Sequence, residues 1–120
     1  METINNDGYD NDELKKSVAH IIVEILEYVP KAVAIKTIIK KTTGSVSVMS
    51  FDSGEGLGER VSPFDTFIQI IEGRAEVVID SVSNHLEMGS AIIIPAHQPN
   101  FIRPNERFKM ITTTIKSGYE

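Results

Sequence analysis

VAIKTIIKKTTGSVSVMSF, residues 33–51, reads as two strands joined by a turn. Val33, Ile35, Thr37 and Ile39 alternate with Ala34, Lys36 and Ile38, the period of two that sends successive side chains to opposite faces of a strand. Lys40-Lys41 leads into a turn at Thr43-Gly44, and the same period resumes from Ser45 to Phe51. Downstream, Asp52-Ser53-Gly54 with Gly56 and Gly58 marks another turn. Short runs then follow at Thr66 to Glu72, Ala75 to Asp80, Asn84 to Glu87, Ala91 to Ile94, Asn100 to Arg103 and Arg107 to Lys116. About eight or nine short strands separated by Gly, Pro and Asx turns predict an all-β antiparallel sandwich or barrel.

Upstream of Pro30 the pattern differs. Residues 1–11 are rich in Asn and Asp and nearly free of apolar side chains, which predicts a loose arm. Asn11 or Asp12 can cap a short helical segment from Glu13 to about Tyr28, because Val18, Ile21, Ile22, Ile25 and Leu26 recur at helical spacing. Pro30 stops it. The β-branched stretch His20 to Glu24 leaves a strand start open. The chain thus divides into an arm with a short helix, residues 1–30, and a barrel domain, residues 31–120.

Composition narrows the function. The 120 residues fit one domain with a real core, and 41% hydrophobic with 24% charged residues is ordinary for a globular chain. Twelve Lys and Arg against seventeen Asp and Glu give a net charge of −5, and the cations are scattered. Nucleic-acid binding is disfavoured, since it rests on clustered cations. Without cysteine there is no disulfide, no thiolate ligand and no cysteine nucleophile. No run reaches membrane-spanning length and METINNDGYDNDE is no secretion signal, so neither membrane association nor export is expected and a cytoplasmic location is.

Two segments carry a resemblance. In GEGLGERVSPFDTFIQIIEG, residues 54–73, Gly54, Arg60, Ser62, Thr66 and Gly73 stand at the spacing of the first cupin motif, where the three inner positions are normally His, His and Glu. In GSAIIIPAHQPNFIRP, residues 89–104, Gly89, Pro95, His97, Asn100 and Pro104 stand at the spacing of the second, where His97 takes a glycine position and Asn100 a histidine position. With IEGRAEV and ERFKMITTTIKS, the chain resembles small single-domain cupins of the conserved-barrel type over about residues 31–117. The resemblance implies a cupin β-barrel, a double-stranded β-helix or jelly roll. It also implies that the family's metal ligands are lost, because Arg60 carries no acceptor, and Ser62, Thr66 and Asn100 are neutral, weak donors. No metal and no other cofactor is expected. His20, His85 and His97 are too scattered to rebuild a centre, and His97 reads as a loop residue near the barrel mouth.

Alternation from the motif positions turns Arg60 with Ser62, Thr66 with Ile68 and Ile70, and Gln98 with Asn100 and Ile102 inward. Met49, Phe51, Phe108 and Met110 are candidate apolar walls. Two readings of Arg60 stay open. It anchors an anionic group, with Ser62, Thr66, Gln98 and Asn100 donating hydrogen bonds, or it pairs with Asp65 or Glu59 and covers a collapsed interior. No catalytic triad and no phosphate loop is visible, and Gly54, Gly56 and Gly58 lie between strands and serve turns. The leading expectation is a binder of an unidentified small molecule. Its rivals are a metal-independent isomerase, epimerase or cyclase, and a filled structural module. The apolar side of Ala32 to Ile39 offers a sheet edge that a twofold partner can cover, which predicts a homodimer.

Overall fold

The computed structural model describes residues 9–10 and 13–116. The rest of the expected arm and the cap positions Asn11 and Asp12 lie outside the described residues.

The alternating runs become strands: β1 (Tyr9–Asp10), β2 (Val33–Lys41), β3 (Gly44–Phe51), β4 (Leu57–Arg60), β5 (Asp65–Glu72), β6 (Arg74–Ile79), β7 (Val82–Glu87), β8 (Ala91–Ile94), β9 (Asn100–Ile102) and β10 (Phe108–Ile115). They form two sheets, ordered β1-β2-β3-β10-β5-β8 and β4-β9-β6-β7. Every pairing is antiparallel except that of β1 with β2. The two sheets enclose one core in which Met49, Phe51, Ile68, Ile70, Phe108 and Met110 meet Ala75, Val77, Ile79, Leu86 and Ile102. This is the all-β antiparallel architecture that the alternation predicts, in the jelly-roll form that the resemblance implies. Two strands are absent from that reading: β1, which falls in the expected loose arm and pairs in parallel with β2, and β4, whose LGER shows no apolar alternation because it is a short, exposed edge strand.

Register sorts the interior into rows. Phe51 stands opposite Phe108 and Val33, with the two aromatic rings stacked at 4.3 Å. The next row holds Met49, Met110 and Ile70, and the next Ser47, Thr112 and Ile68. The last holds Ser45, Thr114 and Thr66. Along β3 and β10 the inward side chains therefore pass from aromatic through aliphatic to hydroxyl. Close packing of the aromatic and aliphatic rows closes one end of the barrel, while the small polar rows leave the other end open.

Turns fix that register. Asp80 and Ser81, at φ 48° and 69°, join β6 to β7 through the two left-handed residues that match hairpin twist. Gly73, at φ 74°, joins β5 to β6, and a Cβ there would stand 2.5 Å from the Arg107 carbonyl oxygen. Only glycine lets these two backbones approach so closely.

The N-terminal segment departs from expectation. The helix expected from Glu13 to Tyr28 does not form, and the segment holds a single 3₁₀ turn, Ile22–Glu24. Ser17, at φ 64°, already interrupts helical geometry. The apolar residues cover the outer face of the larger sheet instead, where Leu26 packs with Ala34 and Val48, flanked by Ile22, Ile25, Val29, Ile38, Ile71 and Ile111. Buried polar groups on that face set the path. Lys109 donates from Nζ to the Val23 carbonyl at 2.6 Å, and Ser50 donates from Oγ to the Glu27 carbonyl at 3.0 Å. An α-helix would commit those carbonyls to its own N–H groups. At the start of the segment the Leu14 N–H donates to the Ile38 carbonyl at 3.1 Å, and the Lys40 N–H donates to the Glu13 carboxylate at 2.6 Å. At its end Tyr28 donates to the Glu72 carboxylate, which with burial pushes the phenol pKa up. Arg107 lies over the Tyr28 ring and bonds Asp52 at 2.7 Å. Among the described residues no helix is long and apolar enough to cross a membrane.

Candidate functional site

The open end of the barrel holds a cavity of about 320 Å³. From the larger sheet come Ile35, Ser45, Ser47, Met49, Thr66, Ile94, Thr112 and Thr114, and from the opposite wall come Arg60, Ser62 and Asn100. Five residues expected from sequence thus converge: Arg60, Ser62, Thr66, Asn100 and Met49.

Four expected site residues are not brought to the cavity surface. Phe51 and Phe108 are fully buried one row beyond the cavity, and Met110 is fully buried in the same row as the cavity-lining Met49. Gln98 sits in the loop before β9, where its carbonyl accepts a bond from Asn100 Nδ2 at 3.1 Å. Ser45, Ser47, Thr112 and Thr114 were missed, although a signal for them exists. Ser45 and Ser47 share parity with Met49 and Phe51, and Thr112 and Thr114 share parity with Phe108 and Met110. Walls assigned to one face should have carried these hydroxyls with them.

Arg60 and Asn100 form the centre of the polar wall because they are paired residues of β4 and β9. Asn100 is 3% exposed. Its Oδ1 accepts from Arg60 Nε at 3.2 Å, while its Nδ2 donates to the carbonyls of Arg60 and Gln98 at 3.3 and 3.1 Å. Every polar atom of this amide is engaged, so it orients the guanidinium. Arg60 as a whole residue is exposed, being the end of an edge strand, yet burial around its head group draws its pKa below the ordinary value without removing the charge. Among the described residues no carboxylate pairs with it. The alternative partner Asp65 instead accepts the Ala96 N–H at 2.8 Å. Among the described residues no acceptor is bonded to the terminal nitrogens of Arg60.

The turn between β8 and β9 supports the same wall. His97 lies there at φ 70°, exposed, with its N–H donating to the Ser62 carbonyl at 2.7 Å. Left-handed backbone at this position accounts for the glycine of the cupin pattern. Ser62 also accepts the Phe64 N–H at 3.1 Å. His20 lies on the N-terminal segment and His85 on β7 opposite Glu76, so the three histidines stay apart.

The donor set does not fit the metal that the motif positions imply. Guanidinium offers no lone pair, Asn100 Oδ1 is already occupied by Arg60, and two neutral hydroxyls are weak ligands for a transition-metal ion. Among the described residues no three His, Asp or Glu side chains are grouped to hold an ion.

A depression of about 360 Å³ on the outer face of the smaller sheet is lined by Arg74, Glu76, His85 and Glu87, of which Arg74, His85 and Glu87 are exposed. Its Glu76 is bonded by Arg103 at 3.1 Å and by Ser83, contacts that hold the carboxyl below its usual pKa.

No family model and no curated protein matches the chain. Solved structures do. A conserved protein of unknown function from Streptococcus pyogenes is similar at TM-score 0.81 and 23% identity, over 93% of this chain and 97% of that one. A cupin superfamily protein from Desulfitobacterium hafniense is similar at TM-score 0.80 and 24% identity, over 88% and 96%. A Cupin 2 conserved barrel domain protein from Leptotrichia buccalis is similar at TM-score 0.75 and 25% identity, over 78% of this chain but 46% of that one. Likeness at this level shows the fold.

Proposed function

We propose, from the premise that this chain has the small single-domain cupin fold, that it binds a small acid in the open end of the barrel without a metal ion. The carrying observation is Arg60, a partly desolvated cation with no carboxylate partner among the described residues, held by Asn100 at the edge of a walled cavity. A cation shielded from water is costly unless a partner answers it, and a guanidinium fork matches a carboxylate. The hydroxyls and the apolar Ile35, Met49 and Ile94 suit a ligand pocket of few polar and several apolar contacts.

The rival enzyme reading needs a group that moves protons near neutral pH, and the residues lining the cavity are arginine, serine, threonine, asparagine and aliphatic side chains. The filled-module reading sits poorly with an open cavity of about 320 Å³. The test is calorimetric titration of wild type and Arg60→Met with small organic acids and their neutral amides. An acid that binds wild type should lose about 30- to 100-fold in affinity in the variant, and its amide should not bind. Equal binding to wild type and variant removes Arg60 as the anchor. Without ligand, Arg60→Met should cost no more than about 1–2 kcal/mol, because loss of the bond to the buried Asn100 Oδ1 is partly offset by removal of a partly desolvated cation.

Pairing into a homodimer also belongs to the proposal. The Ala32–Ile39 edge is less open than the sequence suggests, since β1 pairs with Ile35 and Lys36, and Ala34 is fully buried. The exposed Phe67, Ile93 and Ile115 on the larger sheet's outer face are the apolar patch that the proposed partner would cover. A twofold axis lets such a patch cover itself. Sedimentation should give twice the chain mass, and a monomer at all concentrations would refute it.

A further inference from the structure

We infer that the acid is a hydroxylated one, with its carboxylate at Arg60 and its hydroxyl groups against the Ser47–Thr112 and Ser45–Thr114 pairs. This rests on the reading that Arg60 takes the carboxylate, and it adds what the remainder of the molecule must be.

The support lies in the wall facing Arg60. Ser47 and Thr112 are direct cross-strand partners, as are Ser45 and Thr114, and Thr66 extends the second row. All five line the cavity. Neighbours in such a row stand about 4.5–5.5 Å apart between Cβ atoms, and successive rows are roughly 6.5–7 Å apart. A chain of a few carbons meets both. Each hydroxyl donates and accepts, so each can pair with a hydroxyl of a ligand whichever way it turns.

Ser47 sharpens the case. It is only 6% exposed, lines the cavity, and its hydroxyl has no hydrogen-bond partner among the described residues. An acid with a purely hydrocarbon body would seal this hydroxyl away unsatisfied, which is unfavourable, whereas a hydroxylated acid would answer it. Ile35, Met49 and Ile94 then meet the carbon faces between hydroxyls. At about 320 Å³ the cavity lies at the small end of the range for ligand pockets, which suits a compact acid.

The experiment pairs each acid with its deoxy counterpart: lactate with propionate, malate with succinate, and gluconate with hexanoate, adding glucose as a neutral polyol. Titrations use wild type, Arg60→Met, and the double variant Ser47→Ala with Thr112→Val, two near-isosteric changes that preserve the fold. In at least one pair the hydroxy acid should bind wild type about tenfold or more tightly than its counterpart, the worth of one or two hydrogen bonds. The double variant should lose about tenfold toward that hydroxy acid and stay within about twofold toward the deoxy acid. Deoxy acids binding as well as hydroxy acids, with Arg60→Met weakening both, would overturn the hydroxyl inference alone. Glucose binding as tightly as gluconate, or no acid binding at all, would overturn both readings.

Discussion

Replacing Phe108 with alanine is expected to cost the fold about 3–5 kcal/mol, the range for removing a buried aromatic ring. Phe108 is fully buried and stacks on Phe51 at 4.3 Å, and together they close the barrel's base. Its backbone also abuts the β5–β6 turn, where a Cβ on Gly73 would stand 3.1 Å from the Phe108 Cα. The surrounding backbone is held by two strand pairings and cannot collapse into the void. A domain of this size has roughly 5–15 kcal/mol in hand, so the variant approaches the limit of folding. Urea denaturation and calorimetry should show the loss, with Tm lower by roughly 10–20 °C. Phe108→Leu, which keeps most of the volume, should cost roughly 1–1.5 kcal/mol. A loss under about 1 kcal/mol for the alanine variant would mean that the base is not packed as described. Below its melting temperature the alanine variant should bind an acid within about twofold of wild type, because the ring does not line the cavity.

The barrel was legible because its strands alternate. Val33 to Phe51 and Arg107 to Lys116 each present one apolar face, and a single inward assignment fixes a whole strand. Arg60, Ser62, Thr66 and Asn100, taken from the resemblance to the cupin motif positions and turned inward by that alternation, line one cavity. What spacing does not carry is depth along the barrel. Phe51 and Phe108 share a face with the cavity residues yet lie one row beyond the cavity, and only cross-strand register places a residue at the mouth or the base. Gln98 was misplaced for a related reason. The loop before β9 does not keep strand parity, so counting back from Asn100 assigns it no direction. The outward engagement of Asp65 was likewise invisible, since its partner is the backbone of Ala96, on the far side of β8.

Lys109→Met is expected to destabilise the protein by about 2–4 kcal/mol and to loosen residues 14–29 selectively. The N-terminal segment was the part least legible in sequence. Ile22, Ile25, Leu26 and Val29 carry helical spacing, but the segment's backbone is claimed by the sheet it covers. Lys109 is 5% exposed, and its ammonium lies 4.9 Å from the Tyr28 ring centroid while bonding the Val23 carbonyl. A hydrogen bond from a charged donor contributes about 1.5–3 kcal/mol, and a desolvated cation–π contact about 1–2 kcal/mol. Part of this is offset in the variant, because methionine packs its thioether among the neighbouring apolar groups. Ser50→Ala, which removes only the neutral bond to the Glu27 carbonyl, should cost about 1 kcal/mol. Amide hydrogen exchange locates the effect. In Lys109→Met the Leu14 amide, bonded to the Ile38 carbonyl, should exchange faster relative to global unfolding, while amides at the β3–β10 pairing should follow the overall stability. Acid binding should stay unchanged, since Lys109 faces away from the cavity. Unaltered exchange at Leu14 with unaltered stability would show that Leu26 and its apolar neighbours hold the segment without the ammonium, and that the buried lysine does not explain why the helix fails to form.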